Sequence, residues 1–321
     1  MDDPRPASIH SLSRRAGHPA QPVKARSAPI HGKMSPDDAF RVVLSDCLAQ
    51  MTANAGVLRS GHSTEGLHQL RVGLRRLEVA LKSFAEAFDQ PWLEELRGRA
   101  KVLASRLGPA RDLDVFVEEL LAAPAKGFSG EDEIEMFALL RSEAEAARDT
   151  AWKQASACVA GADFAVFIDD VAALAHSRLP LAPDNRLRPM AKKMLKRQVT
   201  RAQKRGRAAR SHEEGDLHRL RIALKKLRYT AEFFAPLYRR KKVRRYLGQI
   251  KKLQEVLGRL NDIAHAHAVI AQLAPPAREK ADALRFAAGT VEGWYRARRP
   301  RLVKKAMRRW TKLKDAGHFW A

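Results

Sequence analysis

Two short stretches hold the side chains best suited to chemistry. Residues 66–76 read GLHQLRVGLRR and residues 216–226 read DLHRLRIALKK. In each, an arginine follows a histidine by three positions, and a basic pair follows that arginine by four and five. Histidine titrates near neutrality and can donate a hydrogen bond or take up charge. Arginine forks grip phosphate oxygens in pairs, and lysine acts as a point charge. No nucleophile–base pair accompanies them and no glycine loop of the kind that cradles a nucleotide phosphate, so the set suits holding an anion better than breaking a bond.

The element that positions these residues is a helix. At about 100° per residue, Leu67, Leu70, Leu74, Leu77, Leu81 and Phe84 share one broad face, while His68, Arg71, Arg75 and Lys82 fall in a separate narrow arc with Arg76 at its flank. In the second stretch Leu217, Leu220, Leu224, Leu227 and Phe234 point inward, His218, Arg221 and Lys225 form the matching stripe, and Lys226 flanks it. Solvated helix faces relieve repulsion with acids four positions away. Residues 66–77 contain no acid, and neither do residues 217–231. A charged face that merely meets water does not need that purity, nor a histidine at the same register twice.

The register extends beyond the stripes. A shift of 150 aligns His68 with His218, Phe84 with Phe234, Lys101 with Lys251, Leu107-Gly108 with Leu257-Gly258 and Asp112 with Asp262. The period is far too long for a solenoid, so the chain reads as two helical bundles produced by duplication. Residues 186–210 add eleven Lys or Arg and no acid, with Lys192, Lys193, Lys196, Arg197, Arg201 and Lys204 on one side of a helix and Met190, Met194, Leu195, Val199 and Ala202 on the other. Residues 296–314 contribute ten more cations. Such helices can also lie on an anionic membrane, but here the apolar faces are needed for a bundle core.

Across 321 residues the formal charge is +24, from 60 Lys and Arg against 36 Asp and Glu. Self-repulsion of that size calls for an anionic partner. Cys47 and Cys158 stand alone, which fits a reducing cytoplasm. No apolar run approaches the roughly 18 residues of a membrane span, and no secretory signal opens the chain, so a soluble cytoplasmic protein is expected. Residues 1–34 lack apolar periodicity and read as a disordered basic tail. Ser35-Pro36-Asp37-Asp38 then supplies a cap, a proline at the first helical position and acids in the first turn. Helical patterning runs on almost to the end, without strand-like alternation, giving an all-α fold over 35–321. Breaks fall at 124–130 (PAKGFSG), at Gly161, at 179–189 (LPLAPDNRLRP) and at Pro275-Pro276; the third divides a first half of about 35–180 from a second of about 185–321.

HQLRVGLRRLE and HRLRIALKKLRY, followed by LGPARD and LGRLND, together with the closing GHFW, resemble the two halves of a CHAD domain (conserved histidine α-helical domain) over about residues 36–320. The resemblance implies two four-helix bundles related by pseudo-twofold symmetry around a basic central groove or pore that binds inorganic polyphosphate. It assigns the basic motif to His68, Arg71, Arg75, Arg76, His218, Arg221, Lys225, Lys226 and Arg228. Lys82, Lys101, Lys251, Lys192 and Lys196 complete the expected polyphosphate-binding set from the stripes and the repeat. Glu78 departs from the pattern, standing where the second half has Arg228, so that either the first half is the weaker contributor or Glu78 pairs with Arg75 or Lys82. The resemblance also allows association with polyphosphate or polyhydroxyalkanoate granules, and no cofactor is expected.

Two other readings belong beside this one. RNA or DNA would bind the same cations without sequence preference, although the aromatic interleaving that stacks single strands is missing. Asp112, Asp114, Asp262, His265 and His267 could serve a metal-dependent phosphohydrolase. However, His265 and His267 correspond to Val115 and Val117 in the first half, so the repeat does not carry them. Asp112 and Asp262, each just after a glycine, better suit a helix cap or an arginine partner.

Overall fold

The computed structural model describes residues 21–320 apart from 86, 87, 89, 128, 180–185 and 274–280; the expected break at Pro275-Pro276 lies outside the described residues. The chain is all-α. It comprises α1 (Pro36–Ser60), α2 (Thr64–Phe84), α3 (Trp92–Arg106), α4 (Gly108–Val115), a π-helical turn (Phe116–Leu120), α5 (Ala122–Ala125), α6 (Glu131–Ala160), α7 (Ala162–His176), α8 (Leu187–Ala208), α9 (Glu214–Phe234), α10 (Arg240–Gln272) and α11 (Ala281–Lys314), with 3-10 turns flanking α9. No strand occurs among the described residues, and no helix among them is long and apolar enough to cross a membrane.

Local chemistry sets the helix starts. The Ser35 hydroxyl accepts the Asp38 amide at 3.1 Å and opens α1 on Pro36, and Ser63 accepts the Gly66 amide at 3.0 Å to open α2. The leucine stripes then bury: Leu67, Leu70, Leu74, Leu77, Leu81 and Phe84 on α2, and Leu217, Leu220, Leu224, Leu227 and Phe234 on α9. At about 25 cal/mol per Å² of apolar surface removed from water, each such leucine contributes about 2 kcal/mol. The bounds of α2 and α9 differ by 150 at both ends, and Phe84 meets its counterpart Phe234 with ring centroids 5.6 Å apart.

The halves diverge where the sequence does. α3 stops at Arg106 and α4 restarts at Gly108-Pro109, whereas α10 runs unbroken through the corresponding Gly258-Arg259. Proline lacks the amide that would continue the ladder. Near this break the Arg71 guanidinium donates to the Ala104 carbonyl in the last turn of α3, at 3.0 Å. The loop expected from residue 124 begins later, because α5 carries Pro124 in a helical turn.

Two glycines permit close helix crossings. A Cβ on Gly73 would come 2.8 Å from Met51 of α1, and one on Gly206 of α8 would come 2.1 Å from the Trp310 ring of α11. α11 packs along both α10 and α6. Just past its end, the His318, Phe319 and Trp320 rings surround Tyr246 of α10.

One expectation needs correction. Residues 21–34 are not a loose tail, because Ala28 and Ile30 are buried in the core. The Asn54 amide accepts the Val23 N–H at 3.1 Å and donates to the Val23 carbonyl at 2.8 Å. A single buried asparagine thereby satisfies both backbone groups of Val23, in a segment that has no helical ladder of its own.

Candidate anion-binding site

α2 and α9 pack against each other, so their stripes meet. α2 brings His68, Arg71 and Arg75, and α9 brings Arg221, Lys225 and Arg228. The effects of these charges on one another reveal the convergence. Burial, followed by Arg221, Arg75, Arg228 and Arg71, pushes the Lys225 amine down to about 6. Burial and then Arg111, Lys225 and Arg71 push the His68 imidazole down to about 4, against a smaller opposing pull from Glu65. Burial with Arg75 and Arg111 lowers Arg71 to about 10 while Asp112 works the other way. Burial also lowers Arg221, opposed by Asp262 and reinforced by Arg75. Interactions of this size need proximity and partial exclusion of water. Neither Arg75 nor Lys225 has an ion pair among the described residues. The result is a seam of half-buried basic side chains that disfavour one another's charge until an anion arrives.

Asp112 and Asp262 act on the seam's arginines by charge, without forming an ion pair with them among the described residues. Asp112 supports Arg71 and Arg221, and Asp262 supports Arg221. Burial pushes the Asp262 carboxyl up, against the pull of Arg221. Two further residues escaped the motif reading. Arg111 is among the strongest influences on His68, while Asn261, its counterpart at +150, accepts from Nδ1 of His218 at 2.7 Å. Both occupy the variable position of the LG-x-x-(R/N)-D segment, and that shared position beside each histidine is the signal that could have found them. The two histidines therefore differ, with His68 half-buried among cations and His218 exposed and held by a neutral amide.

Several expected residues lie elsewhere. Arg76 is 2% exposed; it donates to Asp46 at 2.6 Å and Gln50 at 2.7 Å, and its guanidinium sits 5.6 Å from the Phe233 ring. It faces the core because its register on α2 turns it toward α1, where Asp46 waits. Lys226, at the corresponding place on α9, is half-buried; burial lowers its amine and Glu78 offsets this, with Lys82, Arg97 and Arg201 adding to the depression. Lys82 and Lys226 thus belong to a neighbouring cluster. Glu78 pairs with Arg97 of α3 at 3.5 Å and not with Arg75 or Lys82, since α3 crosses over that turn of α2. Arg228 shares its charge with Glu232 at 3.6 Å. Lys101, Lys251, Lys192 and Lys196 are exposed on outer helix faces and do not figure among the charges acting on Lys225.

The carboxylates and histidines of the metal reading do not form one cluster. His265 lies 3.5 Å from Asp112, His267 lies 2.6 Å from Glu292, and Asp114 is buried against the Trp152 indole N–H at 2.9 Å. Among the described residues no three His, Cys, Asp or Glu side chains are grouped to hold a metal ion.

An all-helical scaffold with histidine-led basic stripes meeting across two helices is the pattern of one class of protein. The chain matches the profile of the CHAD domain over residues 42–271, and it belongs to that family. Its fold is similar to the crystal structure of the CHAD domain from the plant Ricinus communis, with a TM-score of 0.76 and 29% identity over 94% of this chain and 99% of that one. It is also similar in fold to PptA from Streptomyces chartreusis, with a TM-score of 0.68 and 20% identity over 87% of this chain and 100% of that one. A search of curated proteins finds no match.

Proposed function

We propose that the protein is a non-catalytic binder of inorganic polyphosphate, held in a groove between α2 and α9. The observation that carries this reading is the convergence of His68, Arg71 and Arg75 with Arg221 and Lys225 across two helices, with no carboxylate pairing Arg75 or Lys225 among the described residues. A protein that needed only solubility would not gather cations where they depress one another. A thin anionic chain offers oxygens on every side, so it can meet arginine forks from both helices at once. Family membership supports the same ligand. A cytoplasmic setting suits the two free cysteines, Cys47 and Cys158, and attachment to storage granules would follow from the polyphosphate they carry. Co-sedimentation of the protein with such granules tests that extension.

The binding test is a titration with long-chain polyphosphate, tRNA and duplex DNA at about 150 mM salt, where loose phosphate contacts are already weakened. Polyphosphate should bind tightest. Replacing Arg221 and Lys225 with Ala should weaken it by on the order of a hundredfold or more, because charge-assisted contacts contribute about 1.5–3 kcal/mol each. Replacing the peripheral Lys312 and Lys314 should change it little. Tighter binding of either nucleic acid, or equal losses in both variants, would overturn the reading, and metal-dependent loss of polyphosphate would revive a phosphohydrolase.

A further inference from the structure

A pocket of about 490 Å³ opens where the π-helical turn, α10 and α11 meet, and none of the stripe cations lines it. That volume falls within the roughly 300–1,000 Å³ of small-molecule sites. One wall forms because Pro124 has no amide to offer the Leu120 carbonyl, which a helix would otherwise satisfy. The Tyr295 hydroxyl donates to that carbonyl at 3.0 Å and holds α11 against the turn. Leu120, Ile263, Tyr295 and Leu302 supply apolar surface. Beside them the Arg298 guanidinium lies 3.5 Å from the centre of the Trp294 ring and donates to the Trp294 carbonyl at 3.0 Å. Indole and guanidinium thus stand preassembled, and a flat ring can extend such a stack.

Both signs of charge line the pocket without neutralising each other. Arg259 and Arg301 are exposed and form no ion pair or hydrogen bond among the described residues, and Asp262 is half-buried with no ion pair among them. Glu119, on the π-helical turn, pairs with Arg111 at 3.7 Å. A ligand that satisfies this set carries an anion for the arginines, hydroxyl or amino donors for the carboxylates and a planar ring for the stack. The pocket is not a product of the repeated motif. The shift of 150 holds here, since α6 begins at Glu131 and α11 at Ala281. It places Pro109 at Arg259, Ala144 at Trp294, Glu145 at Tyr295 and Ala151 at Arg301, so the first half lacks the indole and both outer arginines.

We propose that this pocket binds a nucleotide, with its base on the Trp294–Arg298 stack, its hydroxyl and amino donors on Asp262 and Glu119, and its phosphates on Arg259 and Arg301. The site does not rest on the polyphosphate reading. Isothermal titration calorimetry of the full chain with ADP tests it, at about 150 mM salt, where loose phosphate contacts are already weakened. ADP should bind on the order of tenfold or more tighter than pyrophosphate, which lacks the base, or adenosine, which lacks the phosphates. Trp294→Ala should weaken ADP by on the order of tenfold, and Trp294→Phe, which keeps a ring, should recover most of the loss. Arg301→Ala, at an exposed position, should cost a similar factor and keeps the test decisive should Trp294→Ala unfold. Both Trp294→Phe and Arg301→Ala should leave polyphosphate affinity within about twofold, because screened charges outside the seam contribute little. A larger loss of polyphosphate would make the pocket part of the seam and overturn the proposal. So would pyrophosphate or adenosine binding as tightly as ADP, or ADP binding indifferent to Trp294 and Arg301. Tight polyphosphate binding without ADP binding would sink the pocket alone, and the converse would sink only the polyphosphate reading.

Discussion

Lys225 and Arg76 are both basic residues of the repeated motif, and burial disfavours the charge of both, yet their partners treat them in opposite ways. Lys225 is held among Arg221, Arg75, Arg228 and Arg71, so the folded state disfavours its charge. The unfolded chain protonates it at the ordinary 10.5, the folded chain at about 6. Between those values the unfolded state binds more protons, and stability from this group rises with pH. Lys225→Met should therefore stabilise the empty protein by about 1–3 kcal/mol near pH 7 and flatten the rise in stability between about pH 6.5 and 8.5 seen by urea unfolding, while weakening polyphosphate. Arg76 is buried with Asp46 and Gln50, and Arg76→Met leaves Asp46 unpaired. That change should cost about 3 kcal/mol of stability and leave polyphosphate affinity within about twofold, since the side chain lies behind the seam. A stabilised Arg76 variant or a destabilised Lys225 variant would show that the two have been assigned the wrong way round. The helical wheel alone could not separate them. It put Arg76 at the flank of the stripe, but the residue that claims it lies 30 positions away on α1, and that distance is invisible to local periodicity.

At the scale of the helix, the repeat supplies its own control. The first turn of α3 carries Glu94 and Glu95, as the helix dipole favours. The corresponding residues of α10 are Arg244 and Arg245, inside a run, 239–245, that reads RRKKVRR, has no acid and has its six cations exposed. Cations at this end oppose the dipole. In α10, however, the first turn is held by Arg240, Lys241 and Lys242, and Arg240→Glu with Lys241→Glu should raise stability by about 0.5–1.5 kcal/mol at low ionic strength. The same change should lower polyphosphate affinity only modestly, because the site lies elsewhere. An unchanged or lower melting temperature would mean these cations are already satisfied by partners in the fold. Most elements were legible in the sequence for similar local reasons: Ser35 and Pro36 mark the start of α1, Gly161 separates α6 from α7, and the apolar side of α8 is buried from Met190 to Ala202. The packing of residues 21–34 was not, since it depends on Asn54 capturing Val23 and on Ile30 entering a core built by other segments. Nor was the partner of Glu78, which depends on where α3 crosses α2.

For the whole molecule, the seam is both the join between the halves and the place where the two basic stripes meet. Phe84 packs on Phe234 and Arg76 on Phe233 across it, while α11, from the end of the chain, lies against α6 of the first half and α10 of the second. Contacts of this kind tie the halves into one cooperative unit, so heating should give a single transition. A ligand in the seam neutralises repulsion inside the joint itself, on a molecule already carrying +24. At a free concentration of about 100 times Kd it adds about 2.7 kcal/mol, which for a chain of this size raises Tm by roughly 4 °C. Orthophosphate at equal phosphorus should do far less, because separate ions cannot span the two stripes. Calorimetry with and without long-chain polyphosphate decides the matter. Two transitions of which only one shifts would mean that the halves melt independently and that α11 is no clamp. One transition moved equally by orthophosphate would mean that the seam responds to ionic strength and not to a chain lying between its edges.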